Sequence, residues 1–181
     1  MLIAIIERKH QMKRTKKLSG AQIVYLLLTI AVMVTIFCLS AQDANRSSHT
    51  SGRFTKLFIK IFYSGYDSFS PEKQIETWEK ASFIVRKLAH FSIYTALGFF
   101  ASLTVGKRKL FSPKSLFVVI FGFIYAFSDE FHQSFSAGRS CEFRDMMIDT
   151  SGVLTGMLIS LILMHITDLV VGKHRKKPES T

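Results

Sequence analysis

Cysteine is scarce in this chain, and several catalytic signatures are missing from it. Two cysteines among 181 residues are too few for a disulfide framework, and we predict no bridge between Cys38 and Cys141. The sequence contains neither the G-x-S-x-G elbow of serine hydrolases nor the H-E-x-x-H helix of zinc proteases. It also has no internal repeat and no low-complexity stretch. These absences exclude a disulfide scaffold, a repeat protein and two hydrolase classes that carry such signatures.

The amino-terminal segment lacks the order of a secretory signal. Its apolar stretch MLIAII precedes the basic residues, whereas a signal peptide has its basic residues first and a longer apolar core. We therefore interpret residues 1–20 as a basic flank on the cytoplasmic side of a membrane.

Apolar residues, in contrast, are abundant and occur in long runs. Hydrophobic residues make up 48% of the chain, and 17 of its residues are Phe. Residues 21–39 form an uncharged apolar run of about the ~20 residues that cross a bilayer. Three other runs reach that length only if polar residues at one end are included. We predict an all-α polytopic membrane protein with one domain, residues 21–171. The predicted spans are residues 21–39, 84–105, 114–134 and 145–167.

The positions of the basic residues predict the topology. They account for a formal net charge of +11 and concentrate before the first span, between the second and third spans, and in the tail, residues 172–181. Lys and Arg are enriched in cytoplasmic flanks, so we expect a cell-membrane protein with both termini cytoplasmic. The polar ends of spans two, three and four then share the outer leaflet. Because the charges flank spans, we expect no nucleic-acid partner.

The first outer loop is predicted to be helical. Apolar Phe54, Leu57, Phe58, Ile61 and Phe62 recur at i, i+3, i+4, i+7 and i+8, with basic residues on one flank. This pattern predicts an amphipathic helix lying in the membrane interface, with a soluble helix packed on the bundle as the alternative. The pair Ser-Pro at 70–71 predicts the start of another helix before the second span.

Polar residues within the spans share faces with glycine. Arg86, His90, Tyr94 and Gly98 are four residues apart, as are Asp145, Asp149, Gly152 and Gly156. Gly122, Asp129 and Gln133 line up on the third span. Glycine permits close helix packing in lipid, so we expect the charged residues to face neighbouring helices.

Opposite charges of equal number are available for pairing. The cations are Arg86, Lys87, Arg139 and Arg144, and the anions are Asp129, Glu130, Asp145 and Asp149, with His90 and His132 among them. We predict a polar cluster beneath the outer surface. A salt-bridged plug that only fixes the helix register is the structural alternative, although burying many ions contributes little to stability.

Four segments resemble the VanZ-like family of membrane proteins: FCLSAQDANRSSHTSG (37–52), RKLAHFSIYTALG (86–98), YAFSDEFHQSFSAGRS (125–140) and RDMMIDTSG (144–152). The resemblance covers about residues 20 to 165. It implies four spans and a set of family polar positions, and it associates the family with low-level resistance to the glycopeptide teicoplanin. Ala137 departs from the Pro that the family often has before its Gly-Arg. The matching positions are Arg86, Lys87, His90, Tyr94, Asp129, Glu130, His132, Gln133, Arg139, Asp145 and Asp149.

Two functions are consistent with such a cluster. As a binding site, it would hold an anionic lipid-linked or cell-envelope headgroup, with membrane lipids and a lipid-linked cell-wall precursor as expected partners. As a hydrolase or transferase, it would use acid–base chemistry with water as the nucleophile. Catalysis is left open. The catalytic candidates are His90, Asp129, Glu130, His132 and Asp149. The binding candidates are Arg86, Lys87, Tyr94, Gln133, Arg139, Arg144 and Asp145.

A metal site is a third alternative for the same residues. The aspartates, Glu130 and the two histidines have suitable ligand types. The spacing D-E-F-H is not H-E-x-x-H, however, and the nearby cations would repel a metal ion. We therefore expect no metal and no other cofactor.

Overall fold

The computed structural model describes residues 18–42, 44–106, 108–136 and 141–175. Most of the predicted basic flank, part of the tail and Arg139 lie outside this range. Five helices follow one another: α1 (Gly20–Ser40), α2 (Ala44–Phe62), α3 (Pro71–Val105), α4 (Pro113–Gln133) and α5 (Phe143–Arg175). A 3₁₀ turn, Tyr66–Ser68, lies between α2 and α3.

The prediction of an all-α membrane fold is confirmed. Within the described ranges there is no strand, and four helices are long and apolar enough to cross a bilayer: α1, α3, α4 and Phe143–Val171 of α5. Many Leu, Ile and Phe side chains on their outer surfaces are exposed, as lipid-facing residues would be. The protein is therefore a multi-pass membrane protein.

Serine caps begin three of these helices. Ser19, Ser70 and Ser112 each accept a hydrogen bond from the backbone N–H three residues later, at 3.3, 3.4 and 3.2 Å. Pro71 and Pro113 follow two of the caps, at the first helical position, where a missing N–H costs nothing. The Ser-Pro pairs in the sequence are thus helix starts, as predicted.

The helix that begins at Pro71 does not end before the second span, which corrects the expectation of two separate helices. It continues without interruption to Val105, over 35 residues. Neither Gly nor Pro occurs from residue 72 to residue 97, so the sequence offers no breaker. At 1.5 Å per residue, α3 is roughly 52 Å long, well beyond the ~30 Å of a hydrocarbon core.

Amphipathic α2 packs against α3 by its less apolar face. Thr55 and Ile59 are buried, whereas Phe54, Leu57 and Ile61 remain exposed. A soluble helix packed on the bundle would bury its apolar side. The large apolar side chains of α2 instead face away from the bundle, as the predicted interfacial helix requires.

Glycine sets the distance between α3 and α5. A Cβ on Gly156 would lie 1.9 Å from the Thr95 carbonyl oxygen, and a Cβ on Gly98 would lie 2.1 Å from the Val153 carbonyl oxygen. A Cβ on Gly152 would lie 2.6 Å from the Phe91 carbonyl oxygen. No real Cβ fits at such distances, so the two backbones touch only because these residues lack side chains. The predicted small-residue face is confirmed.

A half-buried arginine lies at the end of the bundle where α3 leads into α4. The Arg108 guanidinium donates to the carbonyl oxygens of Ser102 at 2.9 Å and Gly106 at 2.8 Å. It also donates to the Ser102 hydroxyl at 2.8 Å and the Ser115 hydroxyl at 3.0 Å. Burial lowers the pKa of Arg108 below its ordinary value. Its hydrogen bonds tie the end of α3 to the connection that follows it and to the start of α4.

Replacing Gly156 with Ala is expected to lower the free energy of unfolding by about 1–3 kcal/mol or more, because α3 and α5 must move apart to admit the methyl group. The measurement is thermal unfolding of the full-length protein in detergent. Gly52→Ala is the control, since a Cβ there has no atom within 4 Å and alanine favours a helix. Equal unfolding midpoints for the two variants would contradict the close contact.

Candidate binding site

Polar side chains from four helices meet at the end of the bundle opposite Arg108. Helices α1 and α4 end there, α5 begins there, and α3 passes through it on its way toward Val105. We call this set the polar cluster. Its members are Ser40, Lys87, His90, Tyr94, Asp129, Glu130, Gln133, Asp145 and Asp149. Most of the predicted site residues are therefore brought together.

Asp129 is held by donors from two helices. Its Oδ2 accepts a hydrogen bond from the Ser40 hydroxyl of α1 at 2.9 Å and another from the Gln133 amide at 2.9 Å. The Gln133 amide also donates to the Ser40 oxygen at 3.3 Å. All three residues are buried. Hydrogen bonds to the charged form of a buried carboxylate stabilise that form, and here they tie α1 to α4.

Ser40 was missed as a site residue by sequence reasoning. It ends the first apolar run, where a serine is an ordinary residue, and no pairing pattern connects it with Asp129, 89 positions away. Its only signal was that it falls within FCLSAQDANRSSHTSG, the first of the segments that resemble the VanZ-like family.

Two acid–base pairs join α3 to α5. Lys87 forms an ion pair with Asp145. His90 Nδ1 lies 3.7 Å from Asp149 Oδ1. The partners are three and four residues apart on their helices, so the two pairs lie about one turn apart. The Lys87–Asp145 pair is partly exposed, whereas Asp149 is only 1% exposed. The two pairs therefore lead from the surface of the protein into the interior of the bundle.

Glu130 joins the end of α4 to the start of α5. Its side chain is buried, and Oε2 accepts a hydrogen bond from the backbone N–H of Glu142 at 3.1 Å. Glu142 directly precedes α5, where helical N–H groups lack partners and a negative charge is favourable. The contact that the structure gives Glu130 is thus a structural one at a helix start.

The centre of the polar cluster contains buried oxygens without hydrogen bonds. The Tyr94 hydroxyl is fully buried and interacts electrostatically with Asp129 and Asp149, yet it has no partner with acceptable hydrogen-bond geometry among the residues that the structure describes. Asp149 Oδ2 likewise accepts no hydrogen bond from any residue that the structure describes. Ligand atoms of His90, Asp129 and Asp149 lie within 4.8 Å of one another. Buried polar atoms rarely remain unpaired, so this centre requires an explanation.

Two predicted site residues, His132 and Arg144, contact aromatic rings. The His132 ring stacks on Phe37 of α1 with a centroid distance of 4.5 Å. Arg144 is exposed, and its guanidinium lies 5.7 Å from the centroid of the Phe83 ring. Arg139 is outside the described residues. The structure thus gives His132 and Arg144 aromatic contacts.

An open groove lies beside the polar cluster, between α2 and α3. Its volume is about 580 Å³, and most of its wall is apolar, with Leu57, Phe58 and Ile61 from α2 and Leu88 from α3. Arg86 and His90 also line it. Since His90 approaches Asp149, it belongs both to the groove and to the polar cluster. The two features therefore form one candidate site.

Comparison with family models gives one match. The model described as VanZ/LLP1 covers residues 25–164, which include every member of the polar cluster and all of α2. Comparison with curated proteins and with solved structures gives no match.

Replacing Ser40 with Ala is expected to destabilise the fold by about 1.5–3 kcal/mol, because a hydrogen bond to a buried charged group is lost. Thermal unfolding of the full-length protein in detergent measures the change. Ser151→Ala is the matched control, since that serine is exposed and its hydroxyl donates to the Ile148 carbonyl oxygen of its own helix. An unfolding midpoint for Ser40→Ala equal to that of the control would contradict the role of Ser40.

Proposed function

Since the chain belongs to the VanZ/LLP1 family of membrane proteins, we propose that its groove and polar cluster bind the anionic headgroup of a membrane lipid or of a lipid-linked cell-envelope precursor. The observation that carries the proposal is a mostly apolar groove lined also by Arg86 and His90. An amphiphile with one anionic end matches this distribution.

The groove has the size and lining of a lipid site. Its volume of about 580 Å³ falls within the roughly 300–1,000 Å³ of ligand pockets. The aromatic and aliphatic side chains of α2 offer a surface for a hydrocarbon chain. Because α2 has the features of an interfacial helix, a lipid could enter the groove sideways without leaving the membrane.

Arg86 is suited to an anionic headgroup. A guanidinium remains charged at all relevant pH values and binds phosphate with two parallel hydrogen bonds. Arg86 is half-buried at the groove wall, one turn before His90 on the same face of α3. A phosphate there would contact both side chains.

A purely structural plug accounts less well for the cluster. Ion pairs that only hold helices together should leave few buried atoms unsatisfied, because each such atom costs about 1–3 kcal/mol. Tyr94 and Asp149 nevertheless carry buried oxygens without a hydrogen-bond partner among the described residues. Intramembrane ionisable groups of this kind mark ligand sites and proton paths.

The His90–Asp149 pair favours catalysis as a second candidate function. A buried carboxylate 3.7 Å from an imidazole that lines a groove can orient that ring as a general base. Water at the groove would then be activated against the headgroup, in a hydrolase or transferase reaction. Only this function predicts a chemically altered lipid, so product analysis separates it from binding.

We further propose that the site lies in the outer leaflet and that headgroup binding contributes to glycopeptide (teicoplanin) tolerance. The basic flanks support the orientation, since Lys109 and Lys114 lie by the α3–α4 connection and the polar cluster lies at the opposite end. Glycopeptides act on the outer face of the cell envelope, where a sequestered or altered precursor would change their effect.

Replacing Arg86 with Gln is expected to weaken binding of an anionic lipid by at least tenfold, because a charge-assisted bidentate contact is lost. The full-length protein would be tested in nanodiscs that contain phosphatidylcholine alone, phosphatidylglycerol, or a polyprenyl phosphate, with bound lipid counted by native mass spectrometry. The last two compositions distinguish a bulk lipid from a lipid-linked carrier as the source of the headgroup.

The matched control is Arg53→Gln, which removes the same charge from an exposed position on α2. Its lipid binding should equal that of the wild type. In cells, only the Arg86 variant should lower teicoplanin tolerance. If Arg86→Gln and Arg53→Gln retain lipid equally, the groove is not the headgroup site.

The proposed orientation has its own test. A periplasmic-type enzyme reporter inserted after Gly65, in the connection between α2 and α3, should be active on the outer face. A reporter inserted after Leu110, in the α3–α4 connection, should report the cytoplasm. The opposite pair of signals would invert the topology.

A further inference from the structure

We propose that His90, Asp129 and Asp149 form a site for one divalent transition-metal ion of the Zn²⁺ or Mn²⁺ class. One ligand atom from each residue lies within 4.8 Å of the other two. At metal–ligand distances of about 2.0–2.2 Å, two ligands of one ion can be at most about 4.4 Å apart. Three ligands of one tetrahedral ion lie about 3.6 Å apart at these bond lengths, so the three side chains need to approach one another by up to about 1 Å to hold an ion.

The second observation is the set of unpaired oxygens at the same place. The Tyr94 hydroxyl is 0% exposed, has Asp129 and Asp149 as neighbours, and lacks a hydrogen bond within the described part of the chain. Asp149 Oδ2 is equally buried and unpaired there. An ion between the carboxylates would satisfy the carboxylate oxygen, and the Tyr94 hydroxyl could donate to a coordinating carboxylate.

Ser40 and Gln133 supply the outer support that metal ligands usually have. Both donate to Oδ2 of Asp129, which fixes the carboxylate and leaves Oδ1 to coordinate. Such contacts orient a metal ligand, and their loss typically lowers metal affinity by about 10–100-fold. The same hydrogen bonds therefore have a purpose beyond joining α1 to α4.

Two of the four cations that argue against a metal in the sequence, Lys87 and Arg144, have other contacts in the structure. Lys87 is paired with Asp145, and Arg144 lies over Phe83 on the outside of α5. Two buried aspartates meet at the centre, and a divalent ion would neutralise the charges of their ionised forms. Burying such charges without compensation is costly.

The donor set selects the type of ion. One imidazole nitrogen with two carboxylate oxygens suits Zn²⁺ and Mn²⁺, whereas Ca²⁺ and Mg²⁺ favour shells made of oxygen alone. His90 also lines the groove, so an ion has a path of access, and a coordination position could face a ligand there. Metal binding itself requires no headgroup.

The test uses the full-length protein, purified in detergent with a tag that contains no histidine and stripped with a chelator. After incubation with Zn²⁺ or Mn²⁺ and gel filtration, elemental analysis should find about one ion per chain for the wild type. Substitution of Co²⁺ should give a visible absorption band. His90→Ala and Asp149→Asn should each weaken the affinity at least 100-fold, and Tyr94→Phe by about tenfold.

Matched controls are His165→Ala and Asp67→Asn, which remove the same groups from exposed positions far from the cluster and should bind as the wild type does. Asp149→Asn and Tyr94→Phe preserve side-chain volume, so loss of metal can be compared with retained thermal unfolding. A wild type without stoichiometric metal, or site variants that bind like the controls, would overturn the site. A metal-loaded Arg86→Gln variant that fails to bind lipid would separate this site from the headgroup proposal.

Discussion

The backbones of α3 and α5 touch, and the positions of the polar residues follow from that contact. Gly98, Gly152 and Gly156 permit carbonyl oxygens of one helix to approach the Cα atoms of the other. Two helices in such contact can neither rotate nor slide without a clash, so their relative register is fixed. His90 precedes Gly98 by about two turns, and Asp149 precedes Gly152 by about one turn. The His90–Asp149 pair is therefore a consequence of the glycine contact, and Lys87–Asp145 extends it by one more turn.

The charges near the surface and those inside the bundle differ in how far water, ion pairs and hydrogen bonds compensate them. Lys87 and Asp145 compensate each other at a partly exposed place, where water reduces the cost of charge. Asp129 has two hydrogen-bond donors, and Glu130 caps the start of α5. Tyr94 and Asp149 are almost fully buried, yet each carries an oxygen without a hydrogen-bond partner among the described residues. Such an arrangement contributes little to stability by itself.

The spans and the polar faces could be predicted from the sequence because both depend on local spacing. Long apolar runs identify α1, α3, α4 and α5, and a spacing of four residues places His90 and Tyr94 on one face. Residues that depend on tertiary contacts could not be assigned in this way. Ser40 matters because its hydroxyl donates a hydrogen bond to Asp129. Arg108 belongs to the basic residues that predict the topology, but in the structure its guanidinium donates hydrogen bonds to carbonyl oxygens at the end of α3. Arg144 is adjacent to Asp145, yet a helix turns by about 100° per residue, so the two side chains point in different directions.

His90 connects the lipid side of the protein with its interior. Residues on one side of α2 pack on α3, while its large apolar residues remain exposed and form a wall of the groove. The groove is open, and Asp149 lies 3.7 Å from the imidazole that lines it. A headgroup that reaches Arg86 would be one helical turn from His90, and through it from the unpaired oxygens of Tyr94 and Asp149. Either proposed role of the imidazole, proton transfer or metal coordination, requires the ring to face the groove on one side and Asp149 on the other. Both functions proposed for the site therefore require His90.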